Sequence, residues 1–193
     1  MKKLDIRDSF WLMLAAAIFL DSQCLLPVFL SAAACHEAGH ALMVRLCGGR
    51  LRRFRLSAAG GMMTYWLRRP STVCDICIAL AGPLAGLLLA LAANAAGCYT
   101  MAGASLLLSL FNLLPIPPLD GGRVLDALLP SHPARLAVSY FASCLVICAG
   151  LYAGLRQNGW GLLLVGLFLT LGQQTGLHFH PIRGRIELLS EEK

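Results

Sequence analysis

"LLPVFLSAAACHEAGHALMVRL", residues 25–46, holds two histidines and a glutamate in a run whose only other ionisable side chains are Cys35 and Arg45. At 1.5 Å per residue the run is long enough to cross about 30 Å of hydrocarbon as a helix. A charged side chain at mid-bilayer costs roughly 2.5 to 3.5 kcal/mol on insertion scales. One buried histidine finds a partner easily, but three neighbouring polar groups need three. On a helix His36 and His40 stand one turn apart on the same face, with Glu37 beside them. A single divalent cation bound by both imidazoles offsets the cost. Catalytic zinc typically takes three protein ligands and leaves a position for water. The HExxH spacing therefore points to one Zn2+ on His36 and His40, with Glu37 placed to take a proton.

Outward from this stretch, the 193 residues are 58% hydrophobic and 13% charged, with a mean hydropathy of +0.69. A soluble domain carries about 25% charged residues. Apolar runs cover 10–20, 25–46, 73–97, 104–114, 134–154 and 159–172. The pattern predicts an all-α polytopic membrane protein with about six transmembrane helices, built as one membrane-embedded domain over 1–176 and a short cytoplasmic tail over 177–193. The first run imitates a signal peptide, but Asp5 and Asp8 interrupt its basic start and "DSQ" follows it, so it is expected to stay as the first helix. Most of the eight cysteines lie in or at the ends of apolar runs, where cysteine acts as a small hydrophobe. Cys74 and Cys77 form a lone CxxC, and no disulfide framework is implied.

Between the second and third runs, basic and apolar residues alternate from Arg50 to Leu56 and break at Gly60 and Gly61. Alternation over this length predicts a small β-hairpin, the competing reading being a basic surface loop. With six crossings, every Lys and Arg except Arg156 falls on one side. That bias predicts a multi-pass cell-membrane protein with both termini cytoplasmic. It also assigns the net charge of +6 to contact with the lipid bilayer and its anionic headgroups rather than to nucleic acid.

A third ligand has to come from elsewhere. "NLLPIPPLDGG", residues 112–122, carries prolines at 115, 117 and 118 that cannot continue a helix, so 115–120 is expected to be unwound. Such backbone at membrane depth is tolerated only where protein or a water-filled cavity surrounds it. Asp120 is the candidate, in the same inner half of the membrane as His36. The competing reading is an ordinary turn or cap aspartate before two glycines.

"HEAGH" (36–40), "LAGPLAG" (80–86) and "NLLPIPPLDGG" (112–122) together resemble the motif set of the site-2 protease family of intramembrane zinc metalloproteases, peptidase M50. Order and spacing are most similar to the compact bacterial branch typified by a sporulation protease, over roughly residues 9–130. The resemblance implies hydrolysis of a peptide bond in or near the membrane segment of a membrane-tethered protein substrate, a regulator or transcription-factor precursor. Membrane-protein regulators are possible partners. It implies His36, His40 and Asp120 as zinc ligands and Glu37 as general base. Asn112 would help hold the substrate, and Gly60 and Gly61 would lie beside it, where it docks as an added strand. No nucleotide-binding or PDZ module is expected. His178 and His180 read as solvated tail residues and His132 as a turn residue.

Two other classes compete. An intramembrane metal-ion transporter uses the histidines and the aspartate but gives Glu37 no distinct role. A non-catalytic membrane scaffold needs none of the four.

Overall fold

Small residues decide how closely the helices of this chain approach. The computed structural model describes residues 4–21, 23–57, 60–129, 131–157 and 160–174. Its elements are β1 (Leu4–Ile6), α1 (Asp8–Leu20), α2 (Leu26–Leu46), β2 (Arg50–Ser57), β3 (Gly60–Trp66), α3 (Thr72–Ala95), α4 (Tyr99–Asn112), α5 (Asp120–Leu128), α6 (His132–Gln157) and α7 (Gly161–Gln174). The tail from 177 onward, with His178 and His180, lies outside the described residues.

Helix α2 starts where the Asp21 carboxylate accepts the Leu25 and Leu26 N–H groups, both at 2.8 Å, with Pro27 in the first turn. Its Gly39 meets α3 closely: a Cβ there would stand 2.5 Å from the Ala81 carbonyl oxygen and 2.7 Å from the Ala85 Cβ. A side chain at that position would hold the two helices apart, so small residues set how closely they approach. Ser71 caps α3 by accepting the Cys74 N–H at 3.1 Å. Pro83 sits inside α3, fully buried. Helix α4 packs against α2 and α3, and α5 against α3, while α6 and α7 pair with each other.

The expected hairpin is present, with β2 and β3 antiparallel. A bulge between Leu51 and Arg53 resets its phase. Leu51, Phe54 and Leu56 therefore share one face despite the double arginine at 52 and 53, opposite Tyr65, Met63 and Gly61. Not anticipated was β1, which pairs parallel with β2 and brings Asp5 to Arg55 at 3.0 Å. Three residues are too few to carry an alternation signal. The sheet order β1-β2-β3 leaves β3 at an edge.

Two expectations need correction, and a third is met in part. Among the described residues, α3 and α6 alone are long and apolar enough to cross a membrane by length and composition; α2 matches a bilayer in length only, and α1 and α7 are shorter apolar helices. The unwound stretch is 113–119, and Asp120 already opens the short helix α5. Glycines 121 and 122 lie in its first turn, where the returning chain leaves no room for a side chain: a Cβ at Gly122 would stand 2.6 Å from the Pro117 nitrogen and 2.7 Å from the Ile116 carbonyl carbon. His132 is the first residue of α6, not a turn residue.

The 113–119 loop is gripped from behind. Ile116 is fully buried among Ala142 and Val146 of α6 and Leu169 of α7, and the Ser139 hydroxyl donates to the Pro115 carbonyl at 2.9 Å. This fixes where α5 begins, and with it Asp120.

Candidate metal centre

The three proposed ligands are placed by the α2 repeat, a carbonyl of α3 and the start of α5. The helical repeat of α2 aligns His36 and His40, whose rings meet edge to face with centroids 4.8 Å apart. The His40 Nδ1 lies 2.6 Å from the Ile78 carbonyl of α3. A carbonyl only accepts, so Nδ1 carries the proton and donates it, and in the neutral ring Nε2 keeps its lone pair. Pro83 removes the usual donor to the Ala79 carbonyl in this same turn of α3. Asp120 arrives from the start of α5.

Three atoms converge inside the bundle. His36 Nε2 lies 3.0 Å from Asp120 Oδ2, His40 Nε2 lies 3.1 Å from the same oxygen, and the two Nε2 atoms are 3.1 Å apart. All three residues are buried. Among the described residues, no other group of three His, Cys, Asp or Glu side chains meets in this way.

Lone pairs brought this close need a proton or a cation between them. Tetrahedral zinc with bonds of about 2.0 to 2.1 Å sets its ligand atoms about 3.3 Å apart, so the triangle needs only a few tenths of an ångström of relaxation. The room for an ion comes from Gly82 of α3. A Cβ there would run into His40 Nε2, stand 2.5 Å from His40 Cε1 and lie 2.8 Å from His36 Nε2. The set of two imidazoles and one carboxylate, facing a space without a side chain, fits zinc.

Glu37 is half-buried beside this triangle, close enough to His36, His40 and Asp120 to interact electrostatically with all three. The hairpin lies against it: a Cβ on Gly61 would stand 3.0 Å from Glu37 Oε1 and 3.2 Å from the Phe54 ring. Gly61 thus lies at the site, and Gly60 precedes it in β3, paired with Ser57. Asn112 ends α4, where its Nδ2 donates to the Leu108 carbonyl at 2.9 Å. One of its two N–H donors is therefore committed to its own helix.

Sequence reasoning missed four residues. Gly82 lies within "LAGPLAG", a motif visible in the sequence but without an assigned task. The Ile78 carbonyl leaves no signal, since any residue carries one. Arg123 and Tyr65 complete the surroundings: the Arg123 Nη1 lies 3.4 Å from Asp120 Oδ1, and its Nη2 donates to the Tyr65 hydroxyl at 3.1 Å. Burial pushes the Tyr65 phenol above its usual range, and the Arg123 guanidinium opposes that shift.

A family model described as Peptidase M50B-like matches residues 10–117, and one described as Peptidase family M50 matches residues 95–152. A Mycobacterium tuberculosis protein named as a zinc metalloprotease, Rip3, is 37% identical over 109 residues, which cover 49% of this chain and 28% of that protein. The zinc metalloprotease MJ0392 of Methanocaldococcus jannaschii is 28% identical over 156 residues, 72% of this chain and 45% of the relative. The chain thus spans less than half the length of these curated relatives. Among solved structures, the site-2 protease from Methanocaldococcus jannaschii superposes with a TM-score of 0.62 at 23% identity, covering 91% of each chain. The fold is shared.

Proposed function

The chain belongs to the peptidase M50 family, and from that premise we propose that it is an intramembrane zinc metalloprotease hydrolysing a peptide bond in or near the membrane segment of a membrane-tethered protein. The observation that carries this reading is the meeting of His36, His40 and Asp120, contributed by α2 and α5, beside the Glu37 carboxylate. His36, His40 and Asp120 are the proposed ligands. When bound there, zinc lowers the pKa of a coordinated water toward about 7 and polarises a carbonyl.

Everything else is done by the chain itself. Glu37 accepts the proton of the attacking water on its carboxylate and delivers it to the departing amine. His40 is held in the right tautomer by Ile78. The edge strand β3 accepts the substrate as an added strand, with Gly60 and Gly61 allowing its backbone to pass close to Glu37. Asn112 steadies the substrate or transition state with its remaining polar atoms. The orientation that accounts for the basic residues is multi-pass with both termini cytoplasmic, and the hairpin then lies on the cytoplasmic face. The substrate class suggested by the family resemblance is a membrane-tethered regulator or transcription-factor precursor.

Glu37→Gln tests the mechanism. It is expected to keep zinc at the wild-type stoichiometry while losing about 10²- to 10⁴-fold in cleavage of a membrane-tethered peptide. Cleavage at the wild-type rate by that variant defeats the proposed mechanism. Zinc-dependent ion uptake into vesicles without cleavage would favour transport instead.

A further inference from the structure

Arg123 stands one turn beyond Asp120 on α5, with its side chain 30% exposed. Asp120 divides its two oxygens: Oδ2 faces both imidazoles, and Oδ1 faces Arg123 Nη1 at 3.4 Å. That distance describes a loose ion pair, and a long flexible side chain at i+3 pins a carboxylate poorly by itself. The guanidinium has a second anchor. Its Nη2 donates to Tyr65 of β3, 58 positions earlier in the chain, at 3.1 Å. A planar fork fixed at one prong holds its other prong in place, which an ammonium does not do. Tyr65 is itself seated: its ring packs on the Val44, Leu67 and Ile78 cluster, and the Ile78 carbonyl is the group that orients His40.

One small region of hairpin and helix therefore touches the surroundings of two of the three converging side chains. We infer that Arg123 is a positioning residue which, held by Tyr65, orients Asp120, so that the seating of the hairpin and the strength of zinc binding are coupled. The same hairpin places Gly61 against Glu37, and a peptide docking on β3 then acts on the metal centre through Tyr65 as well as on the base. This inference rests on the zinc reading above.

The test uses the full chain in detergent and measures zinc affinity by competition with a chromophoric chelator, with no need for a substrate. Arg123→Gln is expected to weaken zinc binding about 10- to 100-fold, the range for groups that orient metal ligands. Tyr65→Phe removes one hydrogen bond and is expected to weaken it about 3- to 10-fold. The double variant should be no weaker than Arg123→Gln alone, because Tyr65 acts only through the guanidinium. If Arg123→Gln fails to fold, Arg123→Lys replaces it, and Tyr65→Phe should add nothing in that background. Wild-type affinity in the Arg123 variants, or a Tyr65→Phe effect that adds fully to theirs, overturns the coupling. His36→Ala separates the two readings. Zinc lost in that variant but unchanged in Arg123→Gln defeats the coupling alone; a wild-type chain that binds no zinc defeats the metal reading with it.

Discussion

The half of the molecule built from α2 to α5 and the α6–α7 pair use the same materials to opposite ends. Both pack through glycine, alanine and serine. In α2 to α5 the buried polar set includes His36, His40 and Asp120, whereas in α6 and α7, among the described residues, it is limited to Ser139 and Ser143. The glycines differ accordingly. Gly82 keeps side-chain atoms off the two Nε2 nitrogens. Gly150 lets α6 lie against the backbone of α7, where a Cβ would stand 2.6 Å from the Leu163 Cα. The same missing methyl group makes room for chemistry in one half and for packing in the other. The 113–119 loop joins them, pinned by Ile116 and Ser139 on one side and starting α5 on the other.

Gly82→Ala should break this contrast most severely. The added methyl group falls into the space between the imidazoles, so zinc affinity is expected to drop by more than about 100-fold, beyond the loss typical of a ligand-orienting neighbour. Chelator competition on the folded variant checks it, and near-normal affinity would mean that the ion space lies elsewhere. Gly150→Ala should produce the complementary result. Overpacking at the α6–α7 contact is expected to destabilise by about 1 to 3 kcal/mol in thermal or denaturant unfolding, with zinc stoichiometry unchanged in the folded protein. A loss of zinc there would show that the halves are not separable.

Ser139→Ala probes the joint itself. It leaves the Pro115 carbonyl without its hydroxyl donor, an expected destabilisation of about 1 kcal/mol. Because the loop sets where α5 starts, a several-fold drop in zinc affinity alongside it would place the joint on the side of the chemistry. Leu88→Met is the smallest change. Leu88 lies on α3 six positions after Gly82, but is 67% exposed. Its effect on both stability and zinc binding should stay within about 0.5 kcal/mol, and a larger one would show that this face of α3 is covered by a partner.

Some of this was legible from residue order. The i, i+4 pairing of His36 with His40 and the place of Glu37 beside them follow from helical periodicity, and the hairpin follows from alternation ending at two glycines. The three prolines marked the break from which Asp120 emerges. Other features were not legible. Helix α5 hid behind the three prolines, which led the unwound stretch to be expected through Asp120, and behind two glycines whose place only the covering loop explains. Strand β1 is too short to announce itself. Arg123 sits in plain view after "DGG", yet its task depends on Tyr65.

Residue order by itself determined what is local: the donor types, their one-turn spacing on α2, the break before Asp120, and the membership of the peptidase M50 family that those motifs signal. Only the tertiary structure decided which Asp120 oxygen meets the imidazoles, which carbonyl sets the His40 tautomer, that Gly82 leaves the space between them, and that the hairpin reaches Asp120 through Arg123. The physical reason is that a helix repeat is written into consecutive residues. A 3 Å meeting between side chains 84 positions apart depends on how small residues let whole helices approach.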